Sequence, residues 1–193
     1  MSLDYALEGY PCKTQLRDGT ECVIRPLRKG DCSRLMKFFD AVPEMERLFI
    51  KHRLSDPGLL KDWCQKIDFE SNLPLLLLKG TKVIGEATLH QRQGGWKRHV
   101  GLVTFLTHPE YRGRDISKIL VGEMVKIGRH LGLKKLEAEL NGERTVAIKS
   151  LQQLGFRDLL NLPDYLLDMQ GGSHDYVVMG LDIVTDEEYA SAF

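Results

Sequence analysis

The spacing of apolar and polar positions changes several times along the chain, and each change marks a predicted element. Residues 1–12 carry no period and read as irregular. Lys13 to Arg17 and Glu21 to Leu27 flank Asp18-Gly19, the kind of dipeptide that closes a β-hairpin. Leu35, Met36, Phe38 and Phe39 then fall at helical spacing behind Asp31, an N-cap residue type, and Pro43 closes that helix. A second helix starts at Ser55-Asp56-Pro57 and collects Leu59, Leu60, Trp63, Cys64 and Ile67 on one side. Leu73 to Leu78 and Lys82 to Gln91 read as strands joined at Lys79-Gly80-Thr81. Gly94-Gly95 turns the chain into a strand from Arg98 to Thr107. These apolar runs are nearly continuous, which predicts a sheet covered on both faces.

Pro109 breaks that strand, and Tyr111-Arg112-Gly113-Arg114 turns into an amphipathic helix. Its stripe is Ile116, Ile119, Leu120, Met124, Ile127 and Leu131, with Gly132 as its stop. A strand over Lys135 to Leu140 follows, then a helix from about Glu143 to Leu154 ended by Gly155. Two last strands fit near Asp164 to Met169 and Asp175 to Ile183, turned by Gly171-Gly172. No repeat or linker interrupts the series, so one α/β domain over residues 1–193 is expected.

Composition narrows the function classes. The chain has 193 residues, 42% hydrophobic and 28% charged, with 27 basic and 27 acidic side chains. That balance gives no bulk attraction to nucleic acid or to an anionic membrane, so neither is expected as a partner. The run Leu75 to Leu78 is far too short to span a bilayer, and the first residues lack a signal-peptide pattern. Cys12, Cys22, Cys32 and Cys64 show no CxxC spacing, which fits reduced thiols in a cytoplasmic protein. The six histidines show no HxxxH or HxxH spacing, so no metal site is predicted.

A strand that runs through a basic turn into a helix is a place to hold phosphate, because the first N–H groups of the helix point outward and its dipole is positive there. Here Arg112, Arg114 and Lys118 surround such a helix start. The stretch VTFLTHPEYRGRDISKILV (Val103 to Val121) resembles the signature of the GNAT (GCN5-related N-acetyltransferase) superfamily. That pattern is Arg or Gln, two residues, Gly, one residue, then Gly or Ala. Arg112 takes the first place, whereas Asp115 and Ser117 stand where the two small residues are expected. Phe105-x-Thr107-x-Pro109 matches the preceding strand. A second landmark, Ala147-Ile148 through Leu154-Gly155-Phe156, follows in the right order, and the resemblance covers about residues 21 to 183.

The resemblance implies a mixed, mainly antiparallel sheet with helices on both faces, and acyl transfer from acetyl-CoA to an amine with no metal. It implies that the main chain at Phe105, Leu106 and Thr107 pairs with the pantetheine arm. The N–H groups of Arg112, Gly113, Arg114, Asp115, Ile116, Ser117 and Lys118 would cradle the diphosphate. Asp115 adds a Cβ and a negative charge where phosphate would approach. The first two helices and their connection shape the acceptor pocket in this family, which assigns acceptor choice to Met45 to Arg53.

An amine acceptor is almost wholly protonated at neutral pH, with a free pKa of about 10.4, so a base must take its proton. Many relatives carry a Glu on the central strand eleven residues before the Arg; here that position is Gly101. Glu86, in the apolar segment Val83 to Leu89, is the nearest substitute, and alternation puts it on one face with Thr88 and His90. His90 and His99 are weaker candidates. Relatives also use a Tyr in the second landmark to protonate the departing thiolate; the matching residue is Leu151, and Tyr165 reads as a packing aromatic. Asn141-Gly142 reads as a cap for the next helix, and His174-Asp175 as a strand-edge pair. The expected activity is N-acetyl transfer to a small-molecule or peptide amine. The rival is a catalytically silent acyl-CoA-binding sensor. An edge strand in the C-terminal hairpin offers a place for a homodimer to pair.

Overall fold

The computed structural model describes residues 3–43, 46, 57–168, 170–185 and 188. Eight strands make one sheet in the spatial order β1-β2-β3-β4-β5-β6-β8-β7. They are β1 (Cys12–Gln15), β2 (Glu21–Pro26), β3 (Asn72–Lys79), β4 (Lys82–His90), β5 (Val100–Thr107), β6 (Lys135–Asn141), β7 (Arg157–Leu167) and β8 (Ser173–Asp182). Every neighbouring pair is antiparallel except β5 and β6. The helices are α1 (Leu3–Leu7), α2 (Cys32–Ala41), α3 (Pro57–Gln65), α4 (Ile116–His130) and α5 (Thr145–Gln153). The mixed, mainly antiparallel sheet with helices on both faces is as the resemblance implies.

Two apolar layers explain why the central strands read as unbroken runs. On one face Leu75, Leu77, Ala87, Leu89, Val103 and Phe105 pack with Ile116, Leu120, Met124 and Ile127 of α4 and Ala147 and Leu151 of α5. On the other, Leu76, Leu78, Val83 and Leu106 pack with Leu35, Phe38 and Phe39 of α2 and Leu60 and Cys64 of α3. Burying each such Leu, Ile or Phe side chain contributes about 1.5–3 kcal/mol. Gly85 lets α4 sit close to β4: a Cβ there would stand 2.6 Å from Ile116 Cγ2 and 2.9 Å from Leu120 Cδ1.

Residues 3–10 are more ordered than their sequence suggests. Leu3–Leu7 form a helical turn, with Ala6 buried and Tyr5 edge-on to His130 of α4 at 5.1 Å. The Tyr10 hydroxyl then donates to Glu123 Oε2 at 2.7 Å. Tertiary contact with α4, not a local period, orders this segment. Asp31 occupies the N-cap position of α2 but does not cap it. Its carboxylate instead accepts both guanidinium nitrogens of Arg25, at 2.5 and 2.7 Å, and a third hydrogen bond from Arg34. Ser55 and Asp56, read as the start of the second helix, lie outside the described residues, as does Met169.

The C-terminal hairpin departs most from expectation. β7 begins at Arg157, not near Asp164, and runs through Pro163. Register shifts between Asp158 and Leu160 and between Leu162 and Leu166 absorb the proline and a left-handed Asp164 (φ 53°). An outer strand tolerates such a bulge because its far edge bonds to nothing in the sheet. Among the described residues no helix is long and apolar enough to cross a membrane.

Candidate active site

The parallel pairing of β5 with β6 is brief. Val100, Gly101 and Leu102 oppose Lys135, Leu136 and Glu137, and no pair follows. Beyond that point β5 stays bonded to β4 as far as Thr107, and β6 stays bonded to β8 as far as Asn141. The two facing edges therefore carry backbone N–H and C=O groups without a ladder partner in the middle of the sheet. Buried backbone groups are nearly always paired, so such a seam calls for a ligand or water.

Beyond the ends of these strands lies a cleft of about 570 Å³. One wall is Thr107, Arg112, Gly113, Asp115, Ile116 and Ser117; the other is Asn141 and Glu143 to Ala147 with Ser150, and Glu46 also lines the cleft. The first wall hangs on His108. Its buried ring accepts the Glu110 N–H at Nδ1 (3.3 Å) and so starts the 3-10 turn Pro109–Tyr111. Burial pushes the His108 pKa down, and nearby Lys82 adds to the effect, so the ring stays neutral and can accept. The chain then passes Gly113 (φ 74°) and Asp115 (φ 64°) into α4.

Asp115 is thus a conformational substitute for glycine. Asp and Asn are the side chains that best tolerate a left-handed backbone. Its exposed carboxylate does not cap α4. Among the described residues, the N–H groups of Gly113, Arg114, Asp115, Ile116, Ser117 and Lys118 meet no protein acceptor. That array at the positive end of a helix suits an anion. Thr107 Oγ1 lies 3.2 Å from Ser117 Oγ and ties the end of β5 to the first turn of α4.

The residues expected to hold a cofactor divide by position. Thr107, Arg112, Gly113, Asp115, Ile116 and Ser117 face the cleft. Phe105 and Leu106 are buried in β5 along the seam, available through their main chain. Arg114 is diverted: its guanidinium lies over the Tyr111 ring (5.1 Å) and pairs with Asp18 at 2.8 Å. Lys118 is half-buried on the first turn of α4. Of Met45 to Arg53, only Glu46 is described, and it pairs with Arg112. On the second wall Asn141 Oδ1 accepts the Glu143 N–H (2.9 Å), which closes the loop ahead of α5; contrary to the reading of the sequence it does not cap that helix, whose N-cap residue is Arg144.

On the α2 side of the sheet a polar line crosses the apolar layer. Glu86 is only 4% exposed and accepts a short hydrogen bond from Thr88 Oγ1. Thr104 opposes Thr88 across the β4–β5 ladder, and its hydroxyl lies 3.0 Å from His90 Nε2. The His90 Nδ1 lies 2.7 Å from Asn72 Oδ1. Burial raises the Glu86 pKa from 4.5 to about 7, against the opposing hydrogen bond from Thr88. A carboxyl poised near neutrality is suited to exchange protons.

The two positions where relatives place a base and an acid are closed. A Cβ at Gly101 would meet Leu89, Leu133 and Leu136 side-chain carbons at 2.7–2.9 Å. Leu151 is fully buried in the α4 layer. Tyr165 is largely exposed and stacks on Tyr176 at 5.5 Å. His99 takes part through its backbone oxygen, which accepts from Lys134 and Lys135. His174 is not paired with Asp175; its ring nitrogens lie 3.0 Å from Asp168 Oδ2 and 3.1 Å from Glu143 Oε1.

This combination of parted parallel strands, a cleft at their ends and bare helix N–H groups is matched by an independent comparison. Residues 39–156, more than half of the chain, match the family model described as the acetyltransferase (GNAT) family. The chain belongs to the GNAT acetyltransferase family. A thialysine N-epsilon-acetyltransferase of Bos taurus is 24% identical over 144 residues, covering 71% of this chain and 85% of the relative. Among solved structures, the GNAT domain of S. lividans PAT superimposes with a TM-score of 0.74 at 19% identity, covering 89% of this chain and 96% of that one. YncA of Salmonella typhimurium, solved with its cofactor acetyl-CoA, gives 0.70 at 16% identity, covering 84% and 94%. At these identities the structures establish the shared fold.

Two residues of this GNAT site escaped the reading of the sequence. His108 has a local signal, since a polar residue ahead of Pro109 is well placed to start a turn. Arg144 has none: its guanidinium lies over the Phe105 ring at 5.7 Å, a contact between residues far apart in the chain.

Proposed function

We propose that this GNAT protein transfers an acetyl group from acetyl-CoA to a primary amine, by direct attack of the amine within a ternary complex. The observation that carries the reading is the seam between β5 and β6, which opens onto the six unpartnered N–H groups of Gly113 to Lys118. The residues present fit the donor: main-chain groups of Phe105, Leu106 and Thr107 along the seam suit the amides of a pantetheine arm, and the start of α4 suits a diphosphate. The thioester supplies an activated acyl carbon and a leaving group that departs readily near neutral pH. The protein's share is to align the amine with that carbon and exclude water.

In this proposal Glu86 takes the proton that the amine must lose. Its ionised form is populated at neutral pH, and Thr88, Thr104 and His90 offer hydroxyl and imidazole groups from the carboxyl toward the half-buried end of the line. No acid is assigned at Leu151, because a thiol with a pKa of about 8.5 can leave as thiolate and take its proton from water. The acceptor is a small-molecule or peptide amine, in keeping with the relative named for thialysine, and the four unbridged cysteines support a reducing, cytoplasmic setting.

The closed positions at Gly101 and Leu151 favour one rival, an acyl-CoA sensor without turnover. Calorimetric titration with acetyl-CoA, followed by thiol release across a panel of amines, tests both. The expected result is binding with amine-dependent release. Binding without release on any amine would favour the sensor, and no binding would end both readings.

A further inference from the structure

Arg144 carries its charge into the wall of the cleft. It lies half-buried in the second wall of the cleft, and among the described residues its guanidinium has no hydrogen bond or ion pair. Its one close partner is the face of Phe105. The other arginine of the cleft, Arg112, is held by the carboxylate of Glu46, which also lines the cleft. Burial is the main effect opposing the charged form of Arg144; Glu46 favours that form and Arg112 opposes it. A cation that is desolvated, repelled by another cation and short of hydrogen-bond acceptors is costly unless an anion joins it.

We propose that Arg144 and Arg112 are opposite jaws of one anion site, and that the Glu46 carboxylate occupies this site in the free protein as a built-in competitor for a diphosphate. The proposal rests on the reading of the cleft as an acyl-CoA site, and adds a binding residue and a competitor to it. The helix N–H groups alone would hold the diphosphate from one side; Arg144, five donors on a rigid fork, supplies the other. Phe105 keeps the guanidinium plane in place by stacking against it. Displacing Glu46 frees Arg112 for the ligand, so entry of the donor exchanges one charged acceptor for another.

The probes are coenzyme A and pantetheine, which share the thiol arm and differ in the phosphates. For R144Q, titration calorimetry should show about tenfold or weaker binding of coenzyme A, the loss of a hydrogen-bonded charge, with pantetheine unchanged. R144K should recover part of the loss, since it keeps the charge without the fork. E46Q should bind coenzyme A several-fold more tightly and pantetheine as the unaltered protein does. Thermal unfolding confirms that each variant is folded. Equal weakening of both ligands by R144Q would make Arg144 a mere prop for the wall and overturn the inference while leaving the acyl-CoA reading in place. Unchanged or weaker coenzyme A binding by E46Q would overturn the competitor. If the unaltered protein binds neither probe, the acyl-CoA reading falls and the inference falls with it.

Discussion

Replacing Glu86 by Gln separates what its burial does from what its proton does. The carboxyl is 4% exposed, and burial lifts its pKa from 4.5 to about 7. The folded value lies above the unfolded one, so between these limits the folded protein holds a proton that the unfolded chain has released. Stability referred to E86Q is therefore greatest below pH 4.5, falls as the pH rises, and levels off once it has passed about 7. The displacement corresponds to about 3 kcal/mol for a fully buried group. Urea unfolding of both proteins at pH 5 and pH 8 measures it: wild type should lose close to that amount relative to E86Q. Activity should run the other way. If the carboxylate is the base, kcat/KM rises about tenfold from pH 6 to pH 8 as the ionised fraction grows, and E86Q is slow at both. Stability curves that stay parallel across pH would refute the buried, proton-holding carboxyl. An E86Q protein with wild-type rates and the same pH profile would refute its role as base.

Three further substitutions test the frame around the site. D115G keeps the left-handed backbone and removes an acidic charge beside the bare N–H groups; coenzyme A should bind about fivefold more tightly at low salt, from about 1 kcal/mol of relieved repulsion, and the gain should shrink at high salt. Binding weakened by D115G would show that the carboxylate assists the site. G101E, which restores the carboxylate many relatives carry, should destabilise the fold by more than about 3 kcal/mol without raising activity, because three leucine ends already fill the space; chemical denaturation reads the cost, and a folded, faster enzyme would contradict the packing argument. D31N weakens the fork held by Arg25 and leaves a buried guanidinium poorly compensated, at a cost of about 3 kcal/mol; an unchanged melting temperature would show that the pair carries no weight.

The features written in local patterns were the ones legible in the sequence. Alternation and turn dipeptides located the strands from β1 to β6, because each is bounded by a Gly-containing turn or a proline. Asp115 looked like an intruder because residue type alone does not reveal φ; at 64° the position asks for a residue that accepts a left-handed backbone, and Asp is one of the few. The features set by distant contacts were not legible. Leu3–Leu7 is helical because α4 receives it, Asp31 leaves its cap for Arg25, and Arg144 meets Phe105 only after the sheet has formed. The early start of β7 was hidden too, since its run crosses Pro163, a residue that a strand accepts only at an edge.

The parting of β5 from β6 has a mechanical side. Three residue pairs are all that stitch the first five strands to the last three across the sheet, with α4 clasped over the join. Under the proposed reading, a pantetheine arm in the gap would add rungs to both edges, and the amides of β5 and β6 should then exchange more slowly with solvent. The single apolar layer that runs under both halves, from Leu75 and Leu89 to Leu136 and Met179, holds the two edges at that spacing without a ladder between them.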